Sequence, residues 1–347
     1  MSFAIRPARL AQDKELMFRV LERNLPDLDH RSRFEWAYLN NPAGPAWSWL
    51  ALERSTEHVI AVASVFPKIL WIAGEPMKCG QVGDFAVESK YRSLGPALAL
   101  QRATLALVDD GTIALCYDCP PHERGMAPFR RLGLDVTCRL GHFTQLLIAS
   151  PWIARRFHVG AQSARLLALV PNQLLRLRRF FLSRARVEVT DFEERFGHDF
   201  SRLDERLVHP RMIRTRRSAT ELNWKYRDDP LRRYKTLVAH ERGALLGFLV
   251  YETNHERATI CDLLAISPEV AMTLLCRALN EFDLIGLEAV TLVVPETGPQ
   301  SVLARRAGFS FRGNVEHVVA YGPRTAGGDG RDRGRLDWFM CWGDIAA

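Results

Sequence analysis

The alternation of apolar and polar positions divides the chain into predicted strands and helices. In the first half, apolar residues at helical spacing predict a helix over Asp13–Arg23, period-two alternation predicts a strand over Trp47–Glu53, and the strand-like run Val59–Phe66 predicts another. The later predicted elements of this half are helices over Pro96–Asp109 and Glu123–Leu132 and strands over Ile113–Pro120 and His142–Ile148. This order of elements indicates a mixed α/β fold.

A short aromatic motif and the elements around it occur twice. Trp36, Tyr38 and Pro42 have the same spacing as Trp224, Tyr226 and Pro230. Two strand-like runs follow each copy, and those of the second half are Lys235–His240 and Leu245–Tyr251. Later in each half, a strand runs into a proline and a short helix that ends in a glycine, at Pro120 and Gly133 and again at Pro295 and Gly308. A repeat of this length indicates a duplicated domain.

The length of the chain permits two domains. Its 347 residues, 47% of them hydrophobic, are enough to bury two cores. We predict domains over residues 1–150 and 187–347, joined by a connector over residues 151–186. The connector alternates leucine clusters with arginines, which is typical of a basic amphipathic helix. Its apolar face is expected to pack on the domains, and weak peripheral contact with a membrane is the alternative.

The net charge of +7 suggests a nucleic-acid partner, because phosphate contacts dominate such binding. Much of the excess lies in the connector and in a group that flanks the second domain, Arg211, Arg214, Arg216 and Arg217. This distribution favours a small anionic ligand over nucleic acid.

Cysteines and the ends of the chain give further expectations. The seven cysteines are scattered along the chain, which favours reduced thiols over disulfides. Cys116 and Cys119 lie on a predicted strand, which places them on opposite faces, so we predict no metal site formed by these cysteines and His122. No apolar run of about 18 residues occurs and the N-terminus is charged, so a cytoplasmic protein is expected. The C-terminal run Trp338–Asp344 is predicted to be a final strand.

The strongest local signal is the segment from Gly83 to Ala97, in which a strand leads through a loop into a helix. The first amides of a helix lack intrahelical partners and its dipole is positive there, so a pyrophosphate is well accommodated. Gly95 permits close approach of the backbone, and Arg92 supplies a charged donor. The segment therefore predicts a phosphate-binding loop.

This segment resembles the coenzyme A loop of the GNAT superfamily of N-acetyltransferases, whose pattern is Arg/Gln-x-x-Gly-x-Gly/Ala. Arg92, Gly95 and Ala97 occupy the three specified positions, and the resemblance extends over residues 3 to about 148 and, more weakly, about 220 to 345. It implies two tandem GNAT-like domains, each a mixed central sheet flanked by helices, with acetyl-CoA or another acyl-CoA as co-substrate.

The resemblance also implies which residues contact the donor. Backbone groups of Phe85, Ala86 and Val87 are expected to bind the pantetheine arm. The pyrophosphate is expected to lie against a second set, Arg92, Ser93, Leu94, Gly95, Pro96 and Ala97. Pro96 has no N–H, so this loop has one donor fewer than the family's, although proline suits the first turn of a helix.

Acyl transfer to an amine needs a base for the ammonium proton and usually an acid for the leaving thiolate. Asp84 is the candidate base, with Glu88 as a weaker one. The family's thiolate-protonating tyrosine is replaced here by Phe129. Tyr117, His122 or water is therefore expected to supply that proton.

The second half has no such loop. The corresponding run, Cys261–Met272, has no glycine and no basic residue, and Glu269 near the helix start would repel a pyrophosphate. We therefore expect one working domain and one degenerate domain. The expected function is transfer of an acetyl or other acyl group to the amine of a small molecule or amino sugar.

Two alternatives to that function stay open. One resembles the FemAB-type aminoacyl-tRNA-dependent transferases, against which the Arg92–Ala97 loop argues. The other is a non-catalytic binding protein with the same fold, which Phe129 and Pro96 favour.

Overall fold

The computed structural model describes residues 2–92, 94–120, 123–167, 173, 187–322 and 336–345. Fourteen strands form one mixed sheet, and helices cover it. Two strands leave the main path of this sheet, and the other twelve follow the order β1-β2-β3-β4-β5-β13-β6-β12-β11-β10-β9-β7. The predicted mixed α/β class is confirmed.

The first half begins with an antiparallel meander. Its strands are β1 Phe3–Pro7, β2 Trp47–Glu53, β3 Val59–Ile72, β4 Glu75–Val87, β5 Cys116–Asp118 and β6 Val136–Leu146. Its helices are α1 Leu10–Asn24, α2 His30–Phe34, α3 Leu94–Asp109 and α4 Ala127–Arg131, and a π-helical turn over Glu35–Leu39 carries the first aromatic motif. Strands β1 to β4 pair antiparallel, whereas β4 and β5 pair in parallel.

The second half follows the same order, with two additional strands and an additional final helix among its described residues. Its strands are β7 Glu188–Asp191, β8 Met212–Thr215, β9 Lys235–Glu241, β10 Ala244–Thr253, β11 Arg257–Ala265, β12 Ala289–Pro295, β13 Ser310–Tyr321 and β14 Asp337–Phe339. Its helices are α7 His198–Arg206, α8 Ala219–Tyr226, α9 Pro268–Leu284, α10 Pro299–Ala307 and α11 Trp342–Ile345. Between the halves, the described part of the predicted connector forms α5 Ser150–Phe157 and α6 Ala161–Leu167. The domain boundaries stay a prediction.

The two halves exchange strands. Strand β13 of the second half lies between β5 and β6 of the first half, and β6 in turn pairs with β12 of the second half. A second connection joins β3 to β8, where Trp71 lies opposite Arg214. The halves therefore share one hydrogen-bonded sheet.

Helices cover opposite faces of the first half's strands. The apolar side of α1, including Met17, Phe18 and Leu21, is buried against Leu50 and Val62. On the other face, α3 buries a second group against Val65 and Val82, namely Leu105, Leu107 and Val108. Both faces of these strands are thus apolar, which explains why Val59–Phe66 has no clear alternation.

The repeated aromatic motifs meet each other at the boundary between the halves. The rings of Trp36 and Trp224 stack with centroids 4.8 Å apart and an interplanar angle of 19°. Each indole N–H donates to the carbonyl of the other tryptophan, at 2.7 and 3.0 Å. The motif therefore joins the two halves around a local two-fold relation.

The C-terminal end differs from the prediction of one strand over Trp338–Asp344. Only Asp337–Phe339 pairs, with β8, and the chain then turns into α11. The Asp344 carboxylate accepts the N–H of Cys341 at 2.9 Å and binds Arg217, which draws the chain out of the strand.

Candidate active site

The main opening in the first half lies where β4 and β5 separate. These strands pair only at Gly80 with Cys116 and at Gln81 with Tyr117. Beyond that point β4 continues to Val87, whereas β5 ends at Asp118. In the described part of the chain, no strand pairs with the β5-facing edge of Val82–Val87.

A bulge reshapes β4 beside this opening. Ala86 pairs with Val62 of β3 and Gly83 with Ser64, so Asp84 and Phe85 together lie opposite one residue. Asp84 has a φ of 47°, in the left-handed region that aspartate tolerates better than most residues. A bulge leaves one residue outside the ladder, which frees backbone groups for a ligand. The predicted pantetheine contacts Phe85, Ala86 and Val87 lie along this edge.

The predicted phosphate-binding loop lies at the start of α3. The helix begins at Leu94 and has no acidic residue in its first turn. Gly95 is exposed, Pro96 is buried and Ala97 is half-buried, while Ser93 lies outside the described residues. Arg92 donates to the carbonyl of Val87 at 3.2 Å and to the Asn24 side chain at 2.9 Å. Arg92 thus fixes the loop to the end of β4 and to α1.

Asp84, the predicted base, is buried and fully engaged. One carboxylate oxygen accepts from Arg33 at 2.9 Å, and the other accepts from the Tyr38 hydroxyl. Burial, and then the charge of Asp84, raise the pKa of Tyr38 well above its ordinary value. Glu88, the weaker candidate, pairs with Arg23 at 3.0 Å.

The second half contains the same arrangement. Arg217 donates to Asp262 at 2.9 Å, and the Tyr226 hydroxyl donates to the same carboxylate at 3.0 Å. The repeated tyrosine therefore contacts an aspartate of its own half in both copies. The repeated spacing of the tyrosines did not pair either one with an aspartate.

Tyr117, a predicted acid, is buried, and its hydroxyl contacts the C-terminal segment. Its hydroxyl lies 3.3 Å from the Gln81 side-chain oxygen and 3.2 Å from the carbonyl of Asp344. Burial raises the pKa of Tyr117 well above its ordinary value. His122, the other predicted acid, lies outside the described residues.

Asp118 is a site residue that sequence reasoning missed. It is the last residue of β5, and it lines one narrow cavity together with Phe129 and Gln101. Burial raises the pKa of Asp118 to about 7, and the amide N–H of Cys119 opposes this shift by donating to it. The carboxyl therefore lies beside the side chain that replaces the family's tyrosine.

The equivalent helix start in the second half differs from that of α3. Ser267 caps α9 by accepting the N–H of Val270 at 3.3 Å, and Glu269 lies in the first turn. The cap already engages one of the amides that a phosphate would bind, and Glu269 adds a negative charge there. This geometry supports the expectation of a degenerate second domain.

Within the described ranges, no group of three or more His, Cys, Asp and Glu side chains is placed to hold a metal ion. No described helix has the length and apolar character needed to cross a bilayer. The predicted membrane contact of residues 151–186 falls on a segment of which the structure describes only half, and it stays a prediction.

Solved structures resemble this chain along most of its length. A probable N-acyltransferase of unknown function from Enterococcus faecalis is 13% identical, with a TM-score of 0.64 over 93% of this chain and 73% of its own. A GCN5-related N-acetyltransferase from Anabaena variabilis is 11% identical, with a TM-score of 0.67 over 91% and 72%. The N-myristoyltransferase of Saccharomyces cerevisiae, solved with bound myristoyl-CoA, is 12% identical, with a TM-score of 0.56 over 92% and 82%.

The chain therefore shares the fold of GCN5-related N-acetyltransferases, as the loop and the element order predicted. No family model matches the chain, and no curated protein matches it. At 11–13% identity, these structural likenesses show the fold alone.

Proposed function

We propose that this protein is an N-acyltransferase that holds an acyl-CoA between β4 and β5 and acylates the amine of a small molecule or amino sugar. The observation that carries the proposal is the coincidence of three features on one stretch of chain. The open edge of β4, its bulge at Asp84 and the start of α3 follow one another within Val82–Ala97.

Each of these features suits one part of the donor. The free edge and bulge of β4 offer backbone groups to the amides of pantetheine. The start of α3 offers unpaired amides and a positive dipole to the pyrophosphate. The structural likeness to an enzyme solved with myristoyl-CoA supports the same class of donor.

Asp118 is the acid that we assign to the leaving thiolate. The amine nitrogen attacks the thioester carbon, the C–N bond forms and the C–S bond breaks, and the thiolate sulfur takes the carboxyl proton. The proton that the nitrogen loses then returns to Asp118 through water. A pKa near the working pH suits this exchange, because the group must both give and regain the proton.

Asp84 receives a positioning role in this proposal. Its two oxygens are occupied by Arg33 and Tyr38, so it holds the bulge in place rather than accepting a proton from the amine. The left-handed backbone at Asp84 is then maintained by two buried contacts that come from α2 and the π-helical turn.

Calorimetric titration of acetyl-CoA into the full chain tests the donor site. The change Gly95→Glu places a negative charge at the start of α3. It is expected to weaken acetyl-CoA binding by at least about tenfold, because the added carboxylate offsets the favourable charge interaction of the pyrophosphate with the helix start. Gly160→Glu is the matched control, because Gly160 is surrounded by open space and its variant keeps the same added charge. Equal binding by both variants, or no binding by the wild type, would overturn the donor assignment.

A further inference from the structure

A narrow cleft lies between the two halves, on the strand next to β4. Its walls include Lys68 and Pro67 of β3, Asn41 from the first aromatic motif, and Trp224 and Lys225 of α8. Lys68 lies opposite Cys79 of β4, two residues before the point at which β4 and β5 part. The cleft therefore lies one strand away from the edge of β4 that we assign to the donor.

Lys68 is buried without a partner for its charge. Its relative exposure is 6%, and among the described residues its ammonium group has no hydrogen bond and no ion pair. The Trp224 ring lies beside the ammonium, with its centroid 5.9 Å from Nζ, and the Asp344 carboxylate, which Arg217 and Lys225 already bind, favours the charged form from beyond ion-pair distance. A buried ammonium without a hydrogen-bonded anion is costly.

The other charged groups around the cleft are matched. They come from every element that packs there, and their ion pairs are Arg33 with Asp84 at 2.9 Å, Arg217 with Asp262 at 2.9 Å, Lys225 with Asp344 at 3.4 Å and Arg216 with Glu221 at 2.8 Å. The Cys119 thiol, just after β5, also acts on Lys68. The cluster thus lacks one negative charge, at Lys68.

We infer that this cleft binds the carboxylate of the acyl acceptor, with the Lys68 ammonium as its ion-pair partner. A single missing charge in a narrow space matches a monoanionic planar group better than a phosphate, which carries nearly two charges. The acceptor is then an amine that also bears a carboxylate. That the bound molecule is the acyl acceptor rests on the proposed function, whereas the binding of a carboxylate in the cleft does not rest on it.

The titration of Lys68 supports this assignment. Burial, and then the nearby charge of Lys225, lower the pKa of Lys68 to about 7, so an empty cleft holds a largely neutral amine above that pH. A bound carboxylate favours the ammonium form and raises this pKa, because an opposite charge stabilises the charged state. Carboxylate binding and proton uptake by Lys68 are therefore coupled.

Nuclear magnetic resonance of the full chain tests this coupling, because the sequence contains only six lysines. Lysine labelled with ¹³C at the ε position gives few resonances, and Lys68→Arg identifies one of them by its loss. With chloride alone, that resonance is expected to titrate near pH 7. Saturating acetate is expected to raise the midpoint by at least about one pH unit, which corresponds to a tenfold preference of acetate for the protonated form.

The same spectra provide the control and show the results that would contradict the proposal. The resonance of the exposed Lys90, identified by Lys90→Arg, must not respond to acetate. A Lys68 midpoint that acetate leaves unmoved, or that lies near the ordinary lysine value without acetate, overturns the carboxylate site. Titration of acetyl-CoA into the wild type and into Lys68→Met separates the two proposals. If the donor proposal is wrong, the wild type does not bind acetyl-CoA either.

Discussion

Replacing Asp84 by asparagine distinguishes a positioning role from a catalytic one. The amide keeps the size of the side chain but removes the charge that Arg33 binds at 2.9 Å. Arg33 is 1% exposed, so its guanidinium is left buried without a counter-charge. Loss of one partner from a buried pair costs about 3–5 kcal/mol. We therefore expect Asp84→Asn to lower the free energy of unfolding by that amount.

A double-mutant cycle measures the interaction directly. Urea unfolding followed by tryptophan fluorescence is applied to Asp84→Asn, Arg33→Met and the double variant. The loss in free energy of unfolding of the double variant is expected to be at least about 2 kcal/mol smaller than the sum of the two single losses, because the double variant leaves neither charge of the pair buried without the other. Asp262→Asn is the matched control, because Asp262 has the same arginine and tyrosine contacts in the second half.

The opposite pattern would refute this reasoning. If Asp84→Asn unfolds within about 1 kcal/mol of the wild type while acyl transfer from acetyl-CoA is lost, Asp84 accepts the proton of the amine. Our positioning role for Asp84 would then be wrong.

Two further predictions concern the acid and the boundary between the halves. Acyl transfer should fall as pH rises through about 7, because Asp118 must be protonated to act; Asp118→Asn should lower kcat by about 10²–10⁴-fold and remove that limb of the pH profile. A profile unchanged in the variant excludes Asp118. Trp224→Ala removes the ring stack and the hydrogen bond that the Trp224 indole donates to the Trp36 carbonyl, and should cost about 3–5 kcal/mol in urea unfolding. A loss below about 1 kcal/mol would mean that this contact does not hold the halves together.

The alternation of apolar and polar residues predicted the bounds of those strands whose ends are set by neighbouring residues in the sequence. Trp47–Glu53 coincides with β2, and Lys235–His240 falls one residue short of β9. The prediction for β3 stopped at Phe66, whereas the strand continues to Ile72, because it forms a hairpin with β4 and its end also pairs with β8, more than 130 residues away along the chain. Sequence periodicity does not carry such distant pairings.

The site was predictable only where it depends on contiguous residues. The strand, loop and helix of Gly83–Ala97 are found as predicted, because their signal is local. The contacts of Asp84 come from residues 46 and 51 positions away, and no spacing rule connects them. Lys68 did leave a signal, since it is a lone cation in the apolar run Val59–Ile72, and such a residue needs an explanation when its strand is buried.

The exchange of strands between the halves constrains how the chain is made. Val319 of β13 pairs with Asp118 of β5, so this part of the sheet cannot close until β13, about 200 residues after β5, has left the ribosome. Until then, the nascent first half exposes the edges of β5 and β6, which are sites for unwanted strand pairing. Contacts so distant along the chain also slow folding. We therefore expect chaperones to matter most for this protein during the interval between the synthesis of β6 and the synthesis of β13.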